Sequence, residues 1–111
     1  MWNNVYRPCG IHLSRGAERL LYIGELSAPL PYKDAPSLGH RVTILNLEGQ
    51  MVCQFGDPYE GEGPGQFIGP HGVCVDSRGD LYVAEVSYTV RGSHENPPRE
   101  PRSFQKFRRR T

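Results

Sequence analysis

The sequence predicts an all-β fold made of two repeats of short antiparallel strands. Residues 8–13 and 21–25 read Pro-x-Gly, apolar-x-apolar, then apolar-Tyr-apolar-small-Glu, and residues 70–75 and 81–85 repeat this order. The apolar runs are short and rich in Val, Ile, Leu and Tyr, which favours strands over helices. The contents of glycine, 13 residues, and proline, 10 residues, indicate many turns. A repeat distance of about 60 residues is typical of propellers or solenoids.

Turn chemistry defines the individual strands. Asn46–Gly49 and Asp76–Gly79 each place a capping side chain and a glycine between two apolar runs, as hairpin turns require. The first unit is therefore predicted to have four strands, and the second to have three with the fourth missing. The predicted strands are Gly10–Leu13, Leu20–Glu25, Arg41–Leu45 and Met51–Phe55, followed by Gly72–Val75, Leu81–Glu85 and about Phe104–Phe107.

These units correspond to about two blades of a β-propeller, each a four-stranded antiparallel sheet. Blade one is expected over about 7–56, an inter-blade loop over 57–69 and an incomplete blade two over about 70–108, within one partial propeller spanning 1–111. Two long proline-containing loops, 27–39 and 92–101, should project from one face, which is often the binding face of a repeat array. Two blades alone leave apolar faces open, so the expected partners are missing blades of a longer propeller or further copies of the chain.

The composition limits the classes of partner and cellular location that we expect for this chain. The 111 residues are 37% hydrophobic and 23% charged with a net charge of +1, which gives no strong bias toward nucleic acid or membranes. The sequence has no apolar stretch long enough for a transmembrane helix and no apolar core of a signal peptide near its start. We therefore expect a cytoplasmic protein if Met1 is the true start. The three cysteines, Cys9, Cys53 and Cys74, are expected to be buried free thiols.

At these residues the chain resembles the NHL-repeat family of β-propellers. The similarity follows the order of the motifs over about residues 7–88, and the segments after them resemble the C-terminal end of bacterial six-bladed members. The sequence departs from the family pattern at Gly39, where asparagine is usual. The resemblance implies part of a six-bladed ring that acts as a binding or scaffold module for protein or ligand recognition. The motifs are His40–Gln50, Gln54–Gly56, Gly61–Phe67, Pro70–Val73 and Leu81–Glu85, then Glu85–Thr89 and Ser103–Phe107.

Two alternative functions stay open. The first is part of a metal-dependent lyase or hydrolase, similar to the amidating propeller lyase that acts on peptidyl-hydroxyglycine, with His71 as a metal ligand and Cys9 at the matching place. A catalytic zinc needs three protein ligands, so we expect no cofactor here, and zinc or calcium only in a complete ring. The chain alone is not expected to be an enzyme. The second alternative is RNA binding through the basic segment 99–110, although a solvated tail is the simpler interpretation and nucleic acid is not an expected partner.

Several further residues carry specific expectations. Glu25 and Arg41 are predicted to form a structural ion pair between neighbouring strands of blade one. Tyr32, Tyr59 and Tyr88 mark loops that could contact a protein or small-molecule ligand. The glycine-rich run 61–65 is interpreted as an inter-blade loop, because the helix and the lysine of a phosphate-binding loop do not follow it.

Overall fold

A computed structural model describes residues 4–110, and it contains two antiparallel sheets. The predicted all-β fold is confirmed: the sheets have four and three strands in sequential order, as propeller blades do. Blade one consists of β1 (Pro8–Leu13), β2 (Leu21–Glu25), β3 (Arg41–Leu45) and β4 (Met51–Phe55). Blade two consists of β5 (Pro70–Val75), β6 (Leu81–Glu85) and β7 (Phe104–Phe107).

Short helical turns, which the strand and turn patterns do not predict, interrupt the long loops. They are the 3₁₀ turns Leu30–Tyr32 and Gly92–His94 and the single α-helical turn α1 (Ser87–Val90). Within residues 4–110, no helix has the length and apolar character needed to cross a membrane.

The hairpin turns form because their first residue replaces missing backbone partners. The Asn46 side-chain oxygen accepts the amides of Glu48 and Gln50 at 3.0 and 2.9 Å. Asp76 accepts the amides of Arg78 and Asp80 in the same way, at 2.9 and 3.0 Å. The glycine of each turn has a positive φ, which a side chain would strain. These local contacts set the register of the strands that follow.

The two blades pack through a shared aromatic and aliphatic core. Phe67 from the inter-blade loop is fully buried, and its ring centroid lies 6.0 Å from that of Phe55 and 5.7 Å from that of Phe107. The side chains around it come from both sheets, including Tyr22 and Val42 of blade one and Leu81 and Val83 of blade two. We call this contact between the blades the joint.

The innermost part of the joint is a close approach of two backbones. A Cβ atom added to Gly10 of β1 would lie 2.9 Å from the carbonyl carbon of His71 and 3.1 Å from Cα of Gly72, and closer still to the carbonyl oxygen of His71. Only glycine therefore fits at position 10. Both inner strands also carry a bulge at the same place, between Pro8 and Gly10 in β1 and between Pro70 and Gly72 in β5.

The expectation that the cysteines are buried is wrong. Cys9, Cys53 and Cys74 are free thiols, but all three are exposed. Cys9 is the extra residue of the bulge in β1, and Cys53 lies on the outermost strand of blade one. Cys74 lies on the face of blade two that turns away from blade one. Alternation along a strand predicts burial only where a neighbouring element covers the face.

Candidate functional site

Three long loops meet at one end of the two blades, and we call this end the loop face. Loops 26–40 and 86–103 connect the second and third strands of their blades, and loop 56–69 connects the blades. Because the strands are antiparallel, the short hairpins all lie at the opposite end. The bulges of β1 and β5 open toward the loop face, so Cys9 and His71 lie at its inner margin.

Arg91 ties the three loops together. Its Nε and one terminal nitrogen donate to the two carboxylate oxygens of Glu60 in loop 56–69, at 2.5 and 3.0 Å. The same terminal nitrogen donates to the carbonyl of Ala28 in loop 26–40 at 2.9 Å. Both charged side chains are largely removed from solvent. A fork of donors in one plane thus fixes three separate chain segments at a single point.

Two contacts to the carbonyl of Pro58 connect two of these loops a second time. The amide of Ser37 donates to the carbonyl of Pro58 at 2.7 Å. The Nε2 atom of the buried His40 ring lies 2.9 Å from the same carbonyl oxygen. Loop 26–40 is therefore anchored to loop 56–69 near its end, and to Arg91 of loop 86–103 near its start.

Glu62 forms the third tie, between loops 56–69 and 86–103. Its carboxylate accepts hydrogen bonds from the two terminal nitrogens of Arg99, at 2.7 and 3.2 Å, and from the amide of Arg102 at 2.9 Å. The Arg99 side chain, followed by the Arg102 amide, holds the pKa of Glu62 below its usual value. The Arg102 guanidinium donates to the carbonyls of Glu62, Gly63 and Gln66.

Two buried carboxylates close the second strands at the loop face. Glu25 is fully buried and accepts hydrogen bonds from Arg41 Nε at 3.0 Å, from the Tyr6 amide at 2.6 Å and from the Thr43 hydroxyl. Arg41 and Glu25 are directly paired between β3 and β2, as the sequence analysis expects of this ion pair.

The matching carboxylate of blade two, Glu85, has a different environment. It accepts the amides of Ile68 and Gly69 at 2.6 and 3.0 Å. Ser103 stands beside it where blade one has Arg41, so among the described residues no cation forms an ion pair with Glu85. Burial therefore raises the pKa of Glu85 despite its two amide donors.

The three tyrosines predicted to mark binding loops lie on the three loops of this face. Tyr32 is in loop 26–40, Tyr59 in loop 56–69 and Tyr88 in loop 86–103, and their side chains are 61%, 54% and 44% exposed. About half of each tyrosine is therefore exposed to solvent, although other contacts hold the loops around them. Rigid loops that present exposed tyrosines are a common feature of protein-binding surfaces.

A pocket of about 280 Å³ opens on the loop face. Leu30 and Ile68 supply apolar walls, while charged side chains from all three loops surround them. Arg91 and Glu60, which form the central tie, are part of its lining. The residues around the pocket are Leu30, Lys33, Glu60, Ile68, Arg91, His94, Glu95 and Arg99.

A larger cavity of about 460 Å³ lies at the hairpin end, between the first hairpin of each blade. Arg15, Arg78 and Arg109 line it together with Glu18 and Asp76. Arg109 already pairs with Glu18 at 3.1 Å, and its amide donates to Asp80. This cavity offers no exposed aromatic side chain, in contrast to the loop face.

The predicted metal ligand His71 is exposed as the extra residue of the β5 bulge. A bulge can redirect a side chain, and bulges are frequent beside functional sites. Cys9 occupies the same position in β1. Within residues 4–110, no three His, Cys, Asp or Glu side chains are grouped closely enough to hold a metal ion.

Sequence analysis missed the side chains that organise the loop face, Glu60, Glu62 and Arg91. Each pairs with a residue about thirty or more positions away, and no periodic pattern links such partners. The only available signal is the number of charged residues in both loops. The sequence predicts a single solvated tail for the basic segment, but Arg99 and Arg102 bind at the loop face while Arg109 binds at the hairpin end.

Comparison with known families agrees with the repeated blade pattern. The family model of the NHL repeat matches residues 67–91, from the buried Phe67 through β5 and β6 to Arg91. The matched segment includes the bulge with His71, the buried Glu85 and the helical turn that carries Tyr88. The match supports the NHL-repeat family for blade two and, with the two sheets, a module of the propeller type.

Proposed function

We propose that this chain is a recognition module that binds a protein partner through the loop face. The observation that carries the proposal is the position of Tyr32, Tyr59 and Tyr88, one on each of three loops that buried polar contacts hold together. The proposal is consistent with the NHL-repeat match, since repeat propellers present loops on one face.

Preorganisation makes this surface suitable for binding. A tyrosine side chain buries a large area and loses little rotamer freedom, because it has only two χ angles. Loops that are already fixed by Arg91 and Glu62 lose little additional conformational entropy when a partner docks. The contacts with a partner then contribute to affinity without a large entropic cost of ordering the surface.

The size of the pocket favours a protein partner over a free small molecule. Ligand pockets usually have volumes of about 300–1,000 Å³, and the pocket on this face, at about 280 Å³, lies just below that range. The apolar walls of Leu30 and Ile68 within a charged rim suit one anchoring apolar or aromatic side chain of a partner. The exposed tyrosines would then contact the residues on either side of the anchor.

A peptide selection tests this proposal. A random peptide library displayed on phage is selected against the immobilised chain without counter-selection, and the affinity of each enriched peptide is then measured for the chain and for the triple variant Tyr32→Ser, Tyr59→Ser, Tyr88→Ser. We expect enriched peptides with a large apolar residue, and an affinity at least about tenfold lower for the triple variant. Leu47→Ser, which removes an exposed apolar side chain at the hairpin end, should leave the affinity unchanged.

Enriched peptides that bind the triple variant as tightly as the parent chain would contradict the proposal, as would selective loss in Leu47→Ser. Circular dichroism and the melting temperature of each variant show that a lost affinity is not a lost fold. All four tyrosine and leucine sites are exposed, so their substitution should change the stability little.

The lyase and RNA-binding alternatives have weaker support. A metal-dependent lyase of a six-bladed ring would need ligands beyond His71 and Cys9, and elemental analysis of the purified chain tests for a stoichiometric zinc that His71→Ala removes. An RNA-binding face needs free cations, whereas four of the six cations of segment 99–110 contact protein acceptors: Arg99 and Arg102 bind Glu62 and neighbouring carbonyls, Lys106 lies near Asp80 and Arg109 pairs with Glu18. We therefore place protein recognition first.

A further inference from the structure

Blade two carries, on its free face, two of the residue types through which blade one contacts blade two. In blade one, β1 and β2 pair Gly10 with Gly24, and β2 pairs Tyr22 with Ile44. The matching pairs in blade two join Gly72 with Ala84, and Tyr82 with Lys106. Gly72 and Tyr82 therefore stand where Gly10 and Tyr22 stand, but on a face that no described blade covers.

The free face of blade one shows the complementary pattern. In the joint, blade two contributes Val73 and Val75 of β5 to the shared core. The same positions of β1 are Ile11 and Leu13, and Ile11 is 67% exposed. Blade one thus presents inner-strand apolar side chains with no described partner. They match those that blade two uses to pack against blade one.

We propose that the free face of blade one docks onto the free face of blade two of a second copy of this chain, head to tail, and repeats the internal joint. In this arrangement Ile11 and Leu13 of one copy cover Tyr82 and Phe104 of the next. The proposal concerns blade faces rather than the loop face, so it stands independently of the recognition function.

Gly72 provides the most specific support for a second inner strand docked on this face. At Gly10, the space of a side chain is filled by the backbone of β5, which explains the glycine. At Gly72, an added Cβ would meet only the Cβ of Ala84 in its own sheet, at 3.7 Å, and φ lies outside the positive range that favours glycine. The folded chain itself therefore gives no reason for glycine at position 72. A second copy would supply one, since the carbonyl of its Cys9 would occupy the space that the His71 carbonyl occupies at Gly10.

The remaining side chains of the free face differ from those of the joint, since Phe104 stands where blade one has Val42 and Lys106 where it has Ile44. Phe104 is 57% exposed, its ring centroid lies 6.2 Å from that of Tyr82, and Lys106 Nζ lies 5.3 Å from the centre of the Tyr82 ring. Ala84 stands where blade one has Gly24, whose added Cβ would lie 3.3 Å from a methyl group of Val73, a contact that a small side-chain shift relieves. Phe104 offers an exposed aromatic surface large enough to be covered by Ile11 of the next copy.

A head-to-tail contact between identical copies is heterologous, and it closes into a ring when the rotation per copy permits. Propellers close with about four to eight blades, so two blades per copy correspond to about two to four copies in a ring. Each copy in the ring would have both faces covered by the same kind of joint.

Sedimentation velocity of the full chain, up to about 100 µM, tests the proposal through variants of each face. The parent chain should form a closed oligomer whose mass is a fixed multiple of the monomer. Gly72→Ala should keep the fold and lose at least about tenfold in association affinity, because its methyl group blocks the approach of the second backbone. Leu47→Ala, at the exposed hairpin end, should associate like the parent.

Mixing separates a head-to-tail contact from a symmetric one. Ile11→Asp and Phe104→Asp disable opposite faces, so each variant alone should be monomeric. Their equimolar mixture keeps one intact pair of faces and should form a one-to-one dimer that does not grow. Circular dichroism confirms folding of each variant, and Gly72→Ala tests the same face without adding charge.

Three results would overturn the proposal. The first is a parent chain that stays monomeric over the whole concentration range, which would leave the faces to another occupant such as further blades. The second is a Gly72→Ala variant that associates like the parent. The third is a mixture of Ile11→Asp and Phe104→Asp that gives no one-to-one dimer, or a dimer formed by either variant alone.

Discussion

Replacing Gly10 with alanine should be among the most damaging single-methyl changes in this protein. The new Cβ would lie 2.9 Å from the carbonyl carbon of His71 and 3.1 Å from Cα of Gly72, with the carbonyl oxygen still closer. These are backbone atoms, so no side chain can rotate away, and β1 and β5 must separate by about 1 Å. A gap of that size forfeits about a quarter to a half of each dispersion contact across the joint.

We expect Gly10→Ala to lower the free energy of unfolding by about 3 kcal/mol, at the upper end of the usual cost of overpacking. For a chain of this length, that loss should lower the melting temperature by about 10 °C or more. Urea unfolding followed by circular dichroism, at a concentration where the chain is monomeric, measures the change. Gly72→Ala is the matched control, because the added methyl group there meets only the Cβ of Ala84, at an ordinary contact distance of 3.7 Å, and should be neutral or stabilising by up to about 1 kcal/mol. Equal stabilities of the two variants would refute the close packing of the inner strands.

Other contacts give further expected outcomes, each measurable by denaturant titration. Arg91→Met should cost about 3 kcal/mol, because it leaves Glu60 with a nearly buried, unpaired charge. Arg41→Met should cost about 2 kcal/mol, since Glu25 keeps its other donors. Glu62→Gln should cost most at neutral pH and progressively less as pH falls below about 4.5, because the lowered pKa of Glu62 stabilises the fold only while the group is ionised. Glu85→Gln should show the opposite trend.

The sign for Glu85 follows from its raised pKa. The folded state binds the proton more tightly than the unfolded state, so ionised Glu85 weakens the fold as pH rises above about 4.5 and through the folded pKa. The free energy of unfolding of Glu85→Gln, relative to that of the parent chain, should therefore be highest at neutral pH and should fall in acid. If the stability difference from the parent chain changed with pH in the same direction for Glu62→Gln and Glu85→Gln, the described environments of the two carboxylates would be wrong.

Lys33→Met serves as the control for the buried arginines. Lys33 pairs with the neighbouring Asp34 on the surface, and exposed pairs contribute little. Its replacement should change the stability by less than about 0.5 kcal/mol. An Arg91→Met variant no less stable than Lys33→Met would show that the contact with Glu60 does not hold the loops.

The strands were predictable because local chemistry specifies them. Alternating apolar residues and the turns at Asn46 and Asp76 place most strand boundaries within two residues of the sequence prediction. The repeat also identified β1 and β5 as the equivalent inner strands. Each of these features depends on residues close together in the chain, so periodicity and turn preferences capture it.

The loop face was predictable only in part. Its position followed from the repeat, and Tyr32, Tyr59 and Tyr88 could be assigned to loops. The contact of Arg91 with Glu60 joins residues 31 positions apart, and nothing local requires it. The exposure of Cys74 likewise depends on which face of blade two has a neighbour, which strand alternation alone does not determine.

Amide hydrogen exchange of loops 26–40, 56–69 and 86–103 tests most directly whether they form one preorganised recognition face. Amides that donate between segments, such as those of Ser37, Ile68 and Arg102, should be protected in the parent chain. In Arg91→Met, all three loops should lose protection together while the strands keep theirs. Fast exchange throughout the loops of the parent chain, or a loss confined to loop 86–103, would contradict a single rigid face.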